Sequence, residues 1–598
     1  MCGIFGIVFA EKKENLGKIL VDAAHNLTYR GYDSVGCAAF NENGEIQLKK
    51  DVGRVTEVDS KYSLSSLTGL RGIVQLRWAT FGVPSQRNSQ PHFDCDGDLV
   101  GAHNGNVINT ISLREEFLRE GHLVRGENDG EIVVHAVERH FDRLGDLKEA
   151  IIRAAMDLKG DYAYLISHKD ENAIYAVKMG SSLYVGIGEG FTCASSDLPS
   201  ILDLTAEILI VQDGEGVRLS PDGYQIFNLK TGEDILRKPG KCPFNKESAS
   251  KGGYPHFMLK EISEQPEKVN NLLHYLGESL QFEEFSQIIK SAQRLFLIGS
   301  GSSFHACLVG SYYLNKLASK TGIPVPAGAF IEQYGNSLAE DDIVLCVSQS
   351  GETKDVINVV NFCREQKRGR VLSFVNVLGS TLSLRSEAFL PIVCDLEISV
   401  PATKTFINQL VLFLSLSFKL GKKDLKELYE LPKFLEETQN SLTPQIQDIA
   451  RLLLKYDSFY CLGYGITHGI ALEGALKIKE VVYNHCEGAY SSEFKHGPLA
   501  IVYPGYPVLF ITTSEDSGML ISHINEVSCR EGRVITMAPF HPLLKEYSDV
   551  FLPLPSNEYY LVPILGTVPF QLLAYFMSVE KGNDPDYPRN ISKTLTVD

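Results

Sequence analysis

Apolar and polar residues alternate along many short segments of the first 235 residues, and this period of two is typical of half-buried β-strands. The segments that fit are 4–9, 36–40, 46–50, 72–76, 163–167, 174–178, 184–188 and 208–212. Two further stretches, 16–29 and 131–144, repeat their apolar residues at helical spacing. This mixture predicts an α+β layer fold in which antiparallel sheets are sandwiched between helices.

The pattern changes after residue 240, where residues 241–256 are polar, contain glycine and predict a linker. From residue 257 onward, strands, glycine-rich turns and helices follow one another, and the pattern repeats. The pairs that resemble each other are 295–302 with 459–466, 343–350 with 508–515, and 370–372 with 533–535. The offset stays near 164 residues, the distance from Gly301 to Gly465, and indicates a duplicated domain.

We therefore predict three domains, at 1–240, 257–425 and 426–598. Each copy of the duplicated unit is expected to be an α/β domain with a doubly wound parallel sheet and helices on both faces. Ligands bind beyond the carboxyl ends of the strands in such sheets, and the glycine-rich turns lie at those ends.

The overall composition narrows the function classes. A chain of 598 residues with 44% hydrophobic and 22% charged residues is typical of a soluble protein of several domains. Its net charge of −17 argues against a general nucleic-acid binder. The N-terminus has no basic residue before Lys12 and is a poor signal peptide, while the most apolar helix candidate, 406–418, is too short to cross a membrane.

The 12 cysteines are scattered, with no Cys/His group at the spacing of a zinc site. We interpret them as reduced thiols of a cytoplasmic protein, and we expect neither a metal nor a cofactor. Cys2 has a special position, because removal of Met1 would give it a free α-amine that can accept the thiol proton. The alternative, favoured for Cys2 taken alone, is an ordinary buried cysteine in a first strand.

Three other groups in the first part could serve a reaction at Cys2. Arg77, beside the single tryptophan, offers a planar guanidinium for a carboxylate, or it forms a salt bridge. Asn104 and Gly105 could donate a side-chain amide and a main-chain N–H to an oxyanion, or form a plain Asn-Gly turn. Asp129 could hold a substrate ammonium or cap the helix that follows.

Together these residues resemble the glutaminase half of the N-terminal-nucleophile amidotransferases over residues 1–240. The resemblance rests on Cys2-Gly3-Ile4-Phe5-Gly6, Tyr29-Arg30-Gly31-Tyr32-Asp33-Ser34, Arg77-Trp78-Ala79-Thr80, His103-Asn104-Gly105 and Asp129. It implies that Cys2 attacks the glutamine amide while Asn104 and Gly105 stabilise the oxyanion. It also implies that glutamine binds to Arg77, Thr80 and Asp129, that Arg30 and Gly31 support Cys2, and that Trp78 gates an internal ammonia channel.

The sequence departs from this family at Phe81 and Gln90, where histidines are usual, and at Val74-Gln75-Leu76, where the family has Gly-His-Thr. We expect these positions to lie in a loop that closes over glutamine. The changes would then affect the affinity for glutamine more than the chemistry.

Two serine-rich turns follow predicted strands of the first duplicated copy. Ser302 and Ser303 follow one strand, and Ser348-Gln349-Ser350-Gly351-Glu352-Thr353 follows the next. Hydroxyls and main-chain N–H groups at a helix start bind phosphate without a basic residue. A single such turn is usually only a helix cap, but two at consecutive strand ends favour a phosphate site.

In the second copy, Glu473, Lys477 and Glu480 share one face of a predicted helix. Taken alone, they would be a solvated, salt-bridged face. His496 supplies an imidazole a short distance further on, and Lys593 lies in a C-terminal tail that would ordinarily be frayed.

This part resembles the isomerase half of the glutamine–fructose-6-phosphate aminotransferases, and with the first part the resemblance covers the whole chain. The matching runs include Ser348-Gln349-Ser350-Gly351-Glu352-Thr353, Thr403-Lys404-Thr405-Phe406, Lys495-His496-Gly497-Pro498 and Pro588-Arg589-Asn590-Ile591-Ser592-Lys593. The resemblance implies two sugar-isomerase (SIS) domains. It also implies that fructose 6-phosphate is bound by Ser302, Ser303, Ser348, Gln349, Ser350 and Thr353.

The same resemblance implies the chemical roles. Lys593 would form a Schiff base with the C2 ketone, Glu480 would move a proton between C1 and C2, and Lys477 would assist. His496 would come from the neighbouring subunit of a homodimer and help to open the sugar ring. The predicted enzyme forms glucosamine 6-phosphate and glutamate from glutamine and fructose 6-phosphate, the first step of hexosamine synthesis.

Alternatives stay open because of the departures at Phe81 and Gln90 and, at the sugar pocket, at Ala402 and Ser592. One is a paralogue that aminates another sugar phosphate, and another is a sugar-phosphate-binding regulator. A third, an amidotransferase with a phosphoribosyl acceptor, would need a different second half. We expect no nucleic-acid and no membrane partner.

Overall fold

A computed structural model describes residues 2–79, 81–242 and 250–593 of the chain. These residues form two compact units. The first unit comprises the described residues up to Ser250 together with Ser592 and Lys593, and the second is Lys251–Ile591. The domain boundaries predicted from the sequence stay predictions.

The first unit contains two antiparallel sheets of eight and seven strands. Their orders are β15-β11-β9-β10-β1-β4-β2-β3 and β14-β13-β12-β8-β7-β6-β5. The strands are β1 (Gly3–Lys13), β2 (Ser34–Phe40), β3 (Ile46–Val52), β4 (Gly69–Arg77), β5 (His92–Phe93), β6 (Leu99–Val107), β7 (Gly160–His168), β8 (Ile174–Met179), β9 (Tyr184–Gly188), β10 (Phe191–Ser195), β11 (Glu207–Ile210), β12 (Glu215–Ser220), β13 (Gly223–Asn228), β14 (Asp234–Ile235) and β15 (Gly240–Lys241).

The two sheets pack on each other and each carries helices on its outer face. The helices are α1 (Leu16–Asn26), α2 (Val55–Tyr62), α3 (Thr110–Glu120), α4 (Asp129–Leu144), α5 (Leu147–Asp157) and α6 (Pro199–Leu202). Successive side chains of a strand point to opposite faces, and β1 shows both environments. Ile4 and Val8 belong to the core between the sheets, whereas Phe5 and Ile7 pack with α1. The predicted sandwich of antiparallel sheets between helices is confirmed.

All eight predicted strands of this unit coincide with observed ones, but seven observed strands were not predicted, and β6 is the one that matters for the site. Its residues include Gly101, Asn104, Gly105 and Asn106, which have low β propensity. The strand forms because β7 pairs with it along its whole length, from Leu99 to Val107. Tertiary pairing therefore overrides the local preference at the place where the predicted oxyanion residues lie.

The second unit contains two five-stranded sheets in which every described pairing is parallel. The orders, β17-β16-β18-β19-β20 and β22-β21-β23-β24-β25, are equivalent, which confirms the duplication. The strands are β16 (Leu295–Gly299), β17 (Ile323–Pro326), β18 (Ile343–Ser348), β19 (Arg370–Val375), β20 (Ala388–Pro391), β21 (Ser458–Gly463), β22 (His485–Tyr490), β23 (Pro507–Ile511), β24 (Arg533–Pro539) and β25 (Val550–Leu554).

Helices surround both parallel sheets. They are α7 (Phe257–Ser263), α8 (Gln265–Glu278), α9 (Leu280–Ser291), α10 (Ser302–Ala318), α11 (Ala327–Tyr334), α12 (Lys354–Gln366), α13 (Thr381–Arg385), α14 (Lys404–Leu420), α15 (Leu431–Leu453), α16 (His468–Val481), α17 (Ser517–Ser528), α18 (Pro542–Glu546) and α19 (Val562–Glu580). One apolar core joins the two sheets through residues of α14, α15 and α19. Among the described helices, α19 is long and apolar enough to cross a membrane, but 89% of its most apolar window is buried inside the unit, as in a core helix.

Candidate active sites

The first candidate site forms around Cys2, directly before β1. Its main-chain N–H donates to Asn104 Oδ1 at 3.2 Å, and its thiol lies 3.7 Å from the Trp78 carbonyl oxygen. Burial raises the pKa of the Cys2 thiol. The sulfur is therefore protonated at neutral pH and needs a base before it can act as a nucleophile. Met1, whose removal would supply that base, lies outside the described residues.

Asn104 and Gly105 lie inside β6 and do not form the Asn-Gly turn that was the alternative interpretation. Because Asn104 Oδ1 accepts from Cys2, its Nδ2 group points elsewhere. That buried Nδ2 has no hydrogen-bond partner among the described residues. Gly105 has a φ of +122°, and a Cβ there would lie 2.2 Å from the Asp161 carbonyl oxygen, so only glycine fits. An unused donor beside a cysteine is what an oxyanion site requires.

Arg77 ends β4 and is fully buried. Its Nη2 donates to the carbonyl oxygens of Phe81 and Gly82, the latter at 2.8 Å. Its Nε and Nη1 have no partner within the described part of the chain, and burial lowers its pKa. The acceptors found for Arg77 are thus main-chain carbonyls rather than a carboxylate. The two unused donors suit the carboxylate of an amino-acid ligand.

Asp129 is the first residue of α4, but it is not the cap. The side chain of Asn128 caps this helix by accepting from the Gly130 N–H at 2.9 Å. Asp129 is buried instead, accepts from the Val107 N–H at 3.3 Å, and lies 3.8 Å from His103 Nδ1. The capping interpretation of Asp129 is therefore wrong, because the neighbouring asparagine performs that role. This buried carboxylate interacts electrostatically with both Cys2 and Arg77. Its charge and position fit the ammonium group of a ligand.

Other residues position this site, and the sequence pattern alone did not assign roles to most of them. Asp33 accepts from the Ala79 N–H at 2.8 Å and donates its own N–H to the Arg77 carbonyl at 3.0 Å, which holds the segment after β4. Arg30 forms an ion pair of 2.8 Å with Asp197 and donates to the Cys2 carbonyl at 3.4 Å. The signal for Asp33 and Arg30 lay in the run Tyr29-Arg30-Gly31-Tyr32-Asp33-Ser34, which resembles the amidotransferases.

The departures from the family pattern lie only partly in a loop, since residues 74–76 belong to β4 while Phe81 and Gln90 lie between β4 and β5. Gln75 is fully buried within β4. Gln90 is also fully buried, and its Oε1 accepts from the His103 N–H at 2.7 Å. Gln75 therefore lies in a strand and the expectation of a closing loop is wrong for it, whereas Gln90 lies in the segment between β4 and β5 and its part in a closing loop stays a prediction. Gln90 also supports β6 one residue before Asn104. The predicted glutamine-binding residue Thr80 lies outside the described residues.

The second candidate site forms at the carboxyl ends of β16 and β18, which are adjacent strands. Ser302 and Ser303 begin α10 directly after β16, and the 349–353 turn follows β18 and precedes α12. The two serine-rich turns therefore lie side by side, as the switch-point rule predicts. Gln409, on α14, donates to Ser303 Oγ at 3.1 Å and fixes its hydroxyl.

The turn after β18 is tightly built. Ser348 Oγ accepts from the Gly351 N–H at 3.0 Å and lies 3.1 Å from Thr353 Oγ1. Ser350 Oγ accepts from the Glu352 N–H at 3.1 Å. Gly351 has a φ of +68°, and a Cβ there would lie 2.0 Å from Ser380 Oγ. The carbonyl of Gln349 is occupied by the N–H groups of residues 376 and 377.

The charge of Glu352 does not oppose a phosphate in this turn. Its Oε1 accepts from the Thr381 N–H at 2.9 Å, at the start of α13. The carboxylate is therefore used on a helix start. The hydroxyls of this turn and the N-termini of α10 and α12 suit a phosphate.

The helix α16 brings the predicted proton-transfer residues together. Lys477 is fully buried, and its Nζ lies 2.6 Å from Glu480 Oε2, 3.2 Å from Glu473 Oε1 and 3.1 Å from Ser302 Oγ. Burial acts against its charge, but the two carboxylates together raise the pKa of Lys477. Lys477 is thus a fixed cation. The interpretation of this face as solvated is wrong.

Glu473 and His305 complete this cluster, and neither was predicted as a site residue. Burial opposes the charge of Glu473, but Lys477 and His305 lower its pKa below the ordinary 4.5. Its Oε1 accepts from Ser302 Oγ at 2.9 Å, and His305 Nδ1 lies 2.8 Å from its Oε2. His305 lies one turn after the serine pair on α10, and that spacing was the available signal.

The C-terminal segment is held in place as far as it is described. The Arg589 N–H donates to Tyr483 Oη at 2.9 Å, and its guanidinium stacks over the Tyr483 ring at 4.2 Å. A groove of about 540 Å³ beside Glu480 is lined by this segment and the end of α16. Lys593, in the first unit, donates its N–H to the Tyr29 carbonyl at 3.4 Å. The tail is therefore not frayed up to this residue.

His496 lies in a short 3₁₀ helix, Phe494–His496, and is exposed. Trp78, the predicted channel gate, contacts Tyr32 edge to face with ring centroids 5.6 Å apart. The exposure of His496 suits a residue that serves a neighbouring subunit. The roles of His496 and Trp78 stay predictions.

Comparison with known families identifies two kinds of domain. Residues 75–203 match the glutamine amidotransferase domain, and residues 288–417 and 452–581 each match the SIS domain. Over its full length the chain is similar to proteins named glutamine–fructose-6-phosphate aminotransferase [isomerizing]. The identity is 38% with the protein of Pyrobaculum aerophilum and 35% with that of Thermococcus kodakarensis, and each alignment covers 100% of both chains.

A solved structure agrees with these matches. The C-terminal domain of the glucosamine-fructose-6-phosphate aminotransferase from Francisella tularensis is similar to 57% of this chain over 100% of its own length. The TM-score is 0.52 and the sequence identity 30%. The likeness therefore covers the part of the chain that holds the two parallel sheets.

Proposed function

Since the chain belongs to the glutamine–fructose-6-phosphate aminotransferase (isomerizing) family, we propose that it transfers the amide nitrogen of glutamine to fructose 6-phosphate and forms glucosamine 6-phosphate. One water is consumed when glutamine is hydrolysed, and one is released when ammonia condenses with the ketose. The net products are therefore glutamate and the amino sugar phosphate.

In the first half-reaction, Cys2 Sγ attacks the side-chain carbonyl carbon of glutamine. The thiol proton passes to the α-amine that loss of Met1 exposes, and from there to the departing ammonia. The developing oxyanion accepts from Asn104 Nδ2, the donor that the Cys2–Asn104 hydrogen bond leaves unused, and from the Gly105 N–H. Arg77 and Asp129 hold the α-carboxylate and α-ammonium of the substrate. Water then cleaves the thioester to glutamate.

In the second half-reaction, the serine-rich turns bind the phosphate and Lys593 forms a Schiff base with C2 of the open-chain ketose. Glu480 removes a proton from C1 and returns it to C2, since one carboxylate can reach two adjacent carbons. Lys477 stays charged between Glu480 and Ser302 and stabilises negative charge that develops on the sugar. Before this proton transfer, ammonia adds to the C2 imine and displaces the Lys593 amine, so that the proton returns to a C2 that already carries the glutamine-derived nitrogen.

The observation that carries this proposal is the buried Lys477 between Glu480 and Ser302. Lys477 links Glu480, which is suited to transferring protons, with Ser302, which is suited to binding phosphate. Burying the charges of Lys477 and Glu473 for structure alone would be costly, whereas a ketose–aldose isomerisation can use the cation that is held beside Glu480.

The proposal is tested by product analysis. The purified chain, with Met1 removed, is incubated with glutamine and a panel of ketose phosphates, and hexosamine phosphate and glutamate are measured by mass spectrometry. We expect both products in equal amounts with fructose 6-phosphate. Amination of a different ketose phosphate would favour the paralogue interpretation based on Ala402 and Ser592. Binding of fructose 6-phosphate without any turnover would favour a regulator.

We also propose a cytoplasmic homodimer without nucleic-acid or membrane partners. The exposure of His496 supports a site shared between subunits, and the net charge of −17 does not suit nucleic acid. Mixing a Cys2→Ala variant with a His496→Ala variant tests the shared site. Activity of the mixture after subunit exchange, in excess of either variant alone, is the expected result.

A further inference from the structure

Four metal-ligating side chains that have no part in the proposed reaction meet in the first unit. They are Cys95, His122, His135 and Glu138. One ligand atom from each lies within 4.8 Å of every other. We call this group the four-ligand cluster.

The distances suit a tetrahedral ion. Cys95 Sγ lies 3.6 Å from His122 Nδ1. Zinc bonds of about 2.0–2.3 Å place neighbouring ligand atoms of a tetrahedron roughly 3.3–3.7 Å apart. The Nδ1 atoms of His122 and His135 both converge on Glu138 Oε2, at 2.7 and 2.6 Å. These two distances are hydrogen-bond lengths. Small side-chain rotations would widen them to the distance between two ligand atoms bound to the same zinc ion.

The four side chains stand on elements that fix their positions. His135 and Glu138 are three residues apart on α4, so they share one face of that helix. His122 follows α3, and Cys95 lies between β5 and β6. The Cys95 N–H donates to Glu138 Oε1 at 2.7 Å, which ties that segment to α4. Because the ligands are spread from residue 95 to residue 138, no zinc spacing is visible in the sequence.

Groups around the cluster are arranged as in known metal sites. The Leu123 N–H donates to Cys95 Sγ at 3.2 Å, which stabilises a thiolate. The Nε2 atom of His135 is buried, has no hydrogen-bond partner among the described residues, and faces Glu131 Oε1 at 3.8 Å. Metal-bound histidines usually present their second nitrogen to a carboxylate, which orients the ring. His122 Nε2, 4.0 Å from Glu120 Oε2, is placed in the same way.

Burial and ligand type indicate the kind of ion. His135 and Glu138 are buried, whereas Cys95 and His122 are partly exposed and leave a path for entry. One thiolate, two imidazoles and one carboxylate form a set that zinc prefers. Calcium and magnesium prefer oxygen ligands throughout.

We propose that the four-ligand cluster binds one zinc ion, which ties the segments of Cys95 and His122 to α4. This helix begins with Asp129, so the ion would steady the element that carries a glutamine-binding residue. The site is structural, since four protein ligands leave no open position for a substrate. The inference does not depend on the proposed function, because its readout is metal content.

The test uses the full chain without an added histidine tag. The protein is loaded with zinc chloride, dialysed against metal-free buffer, and its zinc is measured by inductively coupled plasma mass spectrometry. We expect about one zinc per chain. In Cys95→Ser and His135→Gln, we expect the zinc content to fall at least about tenfold at limiting free zinc, since ligand loss weakens binding strongly.

Two control variants keep the comparison matched. His140→Gln removes a histidine of the same helix that binds Asp157 instead, and Cys529→Ser removes an exposed cysteine elsewhere. Both are expected to keep their zinc. Equal zinc content in all five proteins would overturn the proposal, as would wild-type protein that retains no zinc after dialysis.

A spectroscopic measurement on the wild type covers the case in which the ligand variants do not fold. Chelator-stripped protein is titrated with cobalt chloride. A thiolate-to-cobalt charge-transfer band in the near ultraviolet, displaced by zinc, is the expected result. The absence of that band would show that Cys95 is not a ligand and that the hydrogen-bonded cluster alone is present.

Discussion

Replacement of Asn104 by alanine distinguishes the proposed catalytic role of this side chain from its contribution to stability. Its amide accepts one hydrogen bond from the Cys2 N–H at 3.2 Å, and its Nδ2 donor is unused within the described structure. In the folded enzyme without substrate, the change therefore removes a single hydrogen bond. That loss amounts to about 0.5–1.5 kcal/mol of the free energy of unfolding.

The cost to the transition state is larger, because the unused donor gains its partner only there. Loss of one oxyanion donor reduces kcat by about 10²–10³, equivalent to roughly 2.7–4 kcal/mol. The KM for glutamine is expected to change little, since Arg77 and Asp129 bind the other end of the substrate. The proposed role thus predicts a large loss in kcat with a small loss in stability.

The assay measures glutamate release at saturating fructose 6-phosphate, alongside urea unfolding of the same protein. Asn106→Ala is the matched control, because Asn106 lies on the same strand and is half-buried. We expect the control to keep glutaminase activity within a few-fold of wild type. A loss in Asn104→Ala smaller than about tenfold, or one carried by KM alone, would refute the oxyanion role.

Three further predictions concern the second unit. Lys477→Met leaves the partly exposed Glu480 without its cation and the buried Glu473 with His305 alone, and is expected to cost about 3–5 kcal/mol of stability. Lys479→Met, exposed on the same helix, should stay within about 0.5 kcal/mol, and similar losses in the two variants would contradict the buried cluster. Gly351→Ala adds about 1–2 kcal/mol of backbone strain at φ +68° and should weaken fructose 6-phosphate binding, as measured by calorimetry. Gly518→Ala, where the added Cβ would lie in open space, should leave the affinity unchanged. Equal affinities of the two variants would contradict the role of the turn. Because the pKa of Glu473 is lowered in the folded protein, its charge contributes stability above about pH 4.5 that is lost at lower pH. The difference in the free energy of unfolding between wild type and Glu473→Gln should therefore shrink below that pH. A difference that stays constant with pH would contradict this linkage.

The architecture was accessible from the sequence because its periodic patterns are strong. Alternation in segments such as 4–9 and 72–76 marked the first sheet, and the repeated strand–turn–helix pattern marked the two parallel sheets. The sequence pattern predicts 406–418 as the most apolar helix, but α19 is the longer and more apolar one. Its internal Pro569 interrupts the usual helix signal.

The details of the sites depend on long-range contacts that a local pattern does not show. Whether Asp129 or Asn128 caps α4 is decided by which side chain reaches the Gly130 N–H. The burial of Lys477 depends on Ser302, which lies in a different copy of the duplicated domain. The four-ligand cluster is assembled by the packing of α3, α4 and the segment before β6. Spacing along the chain therefore identified the residue types but not these assignments.

The central claim, that glutamine nitrogen is delivered to the ketose phosphate, is tested most directly by isotope labelling. The chain is incubated with glutamine labelled with ¹⁵N in its amide, fructose 6-phosphate and an excess of unlabelled ammonium, and the hexosamine phosphate is analysed by mass spectrometry. We predict that the amino sugar carries ¹⁵N and that Cys2→Ser forms none of the labelled product. Amino sugar with unlabelled nitrogen only, or no amino sugar at all, would contradict this account.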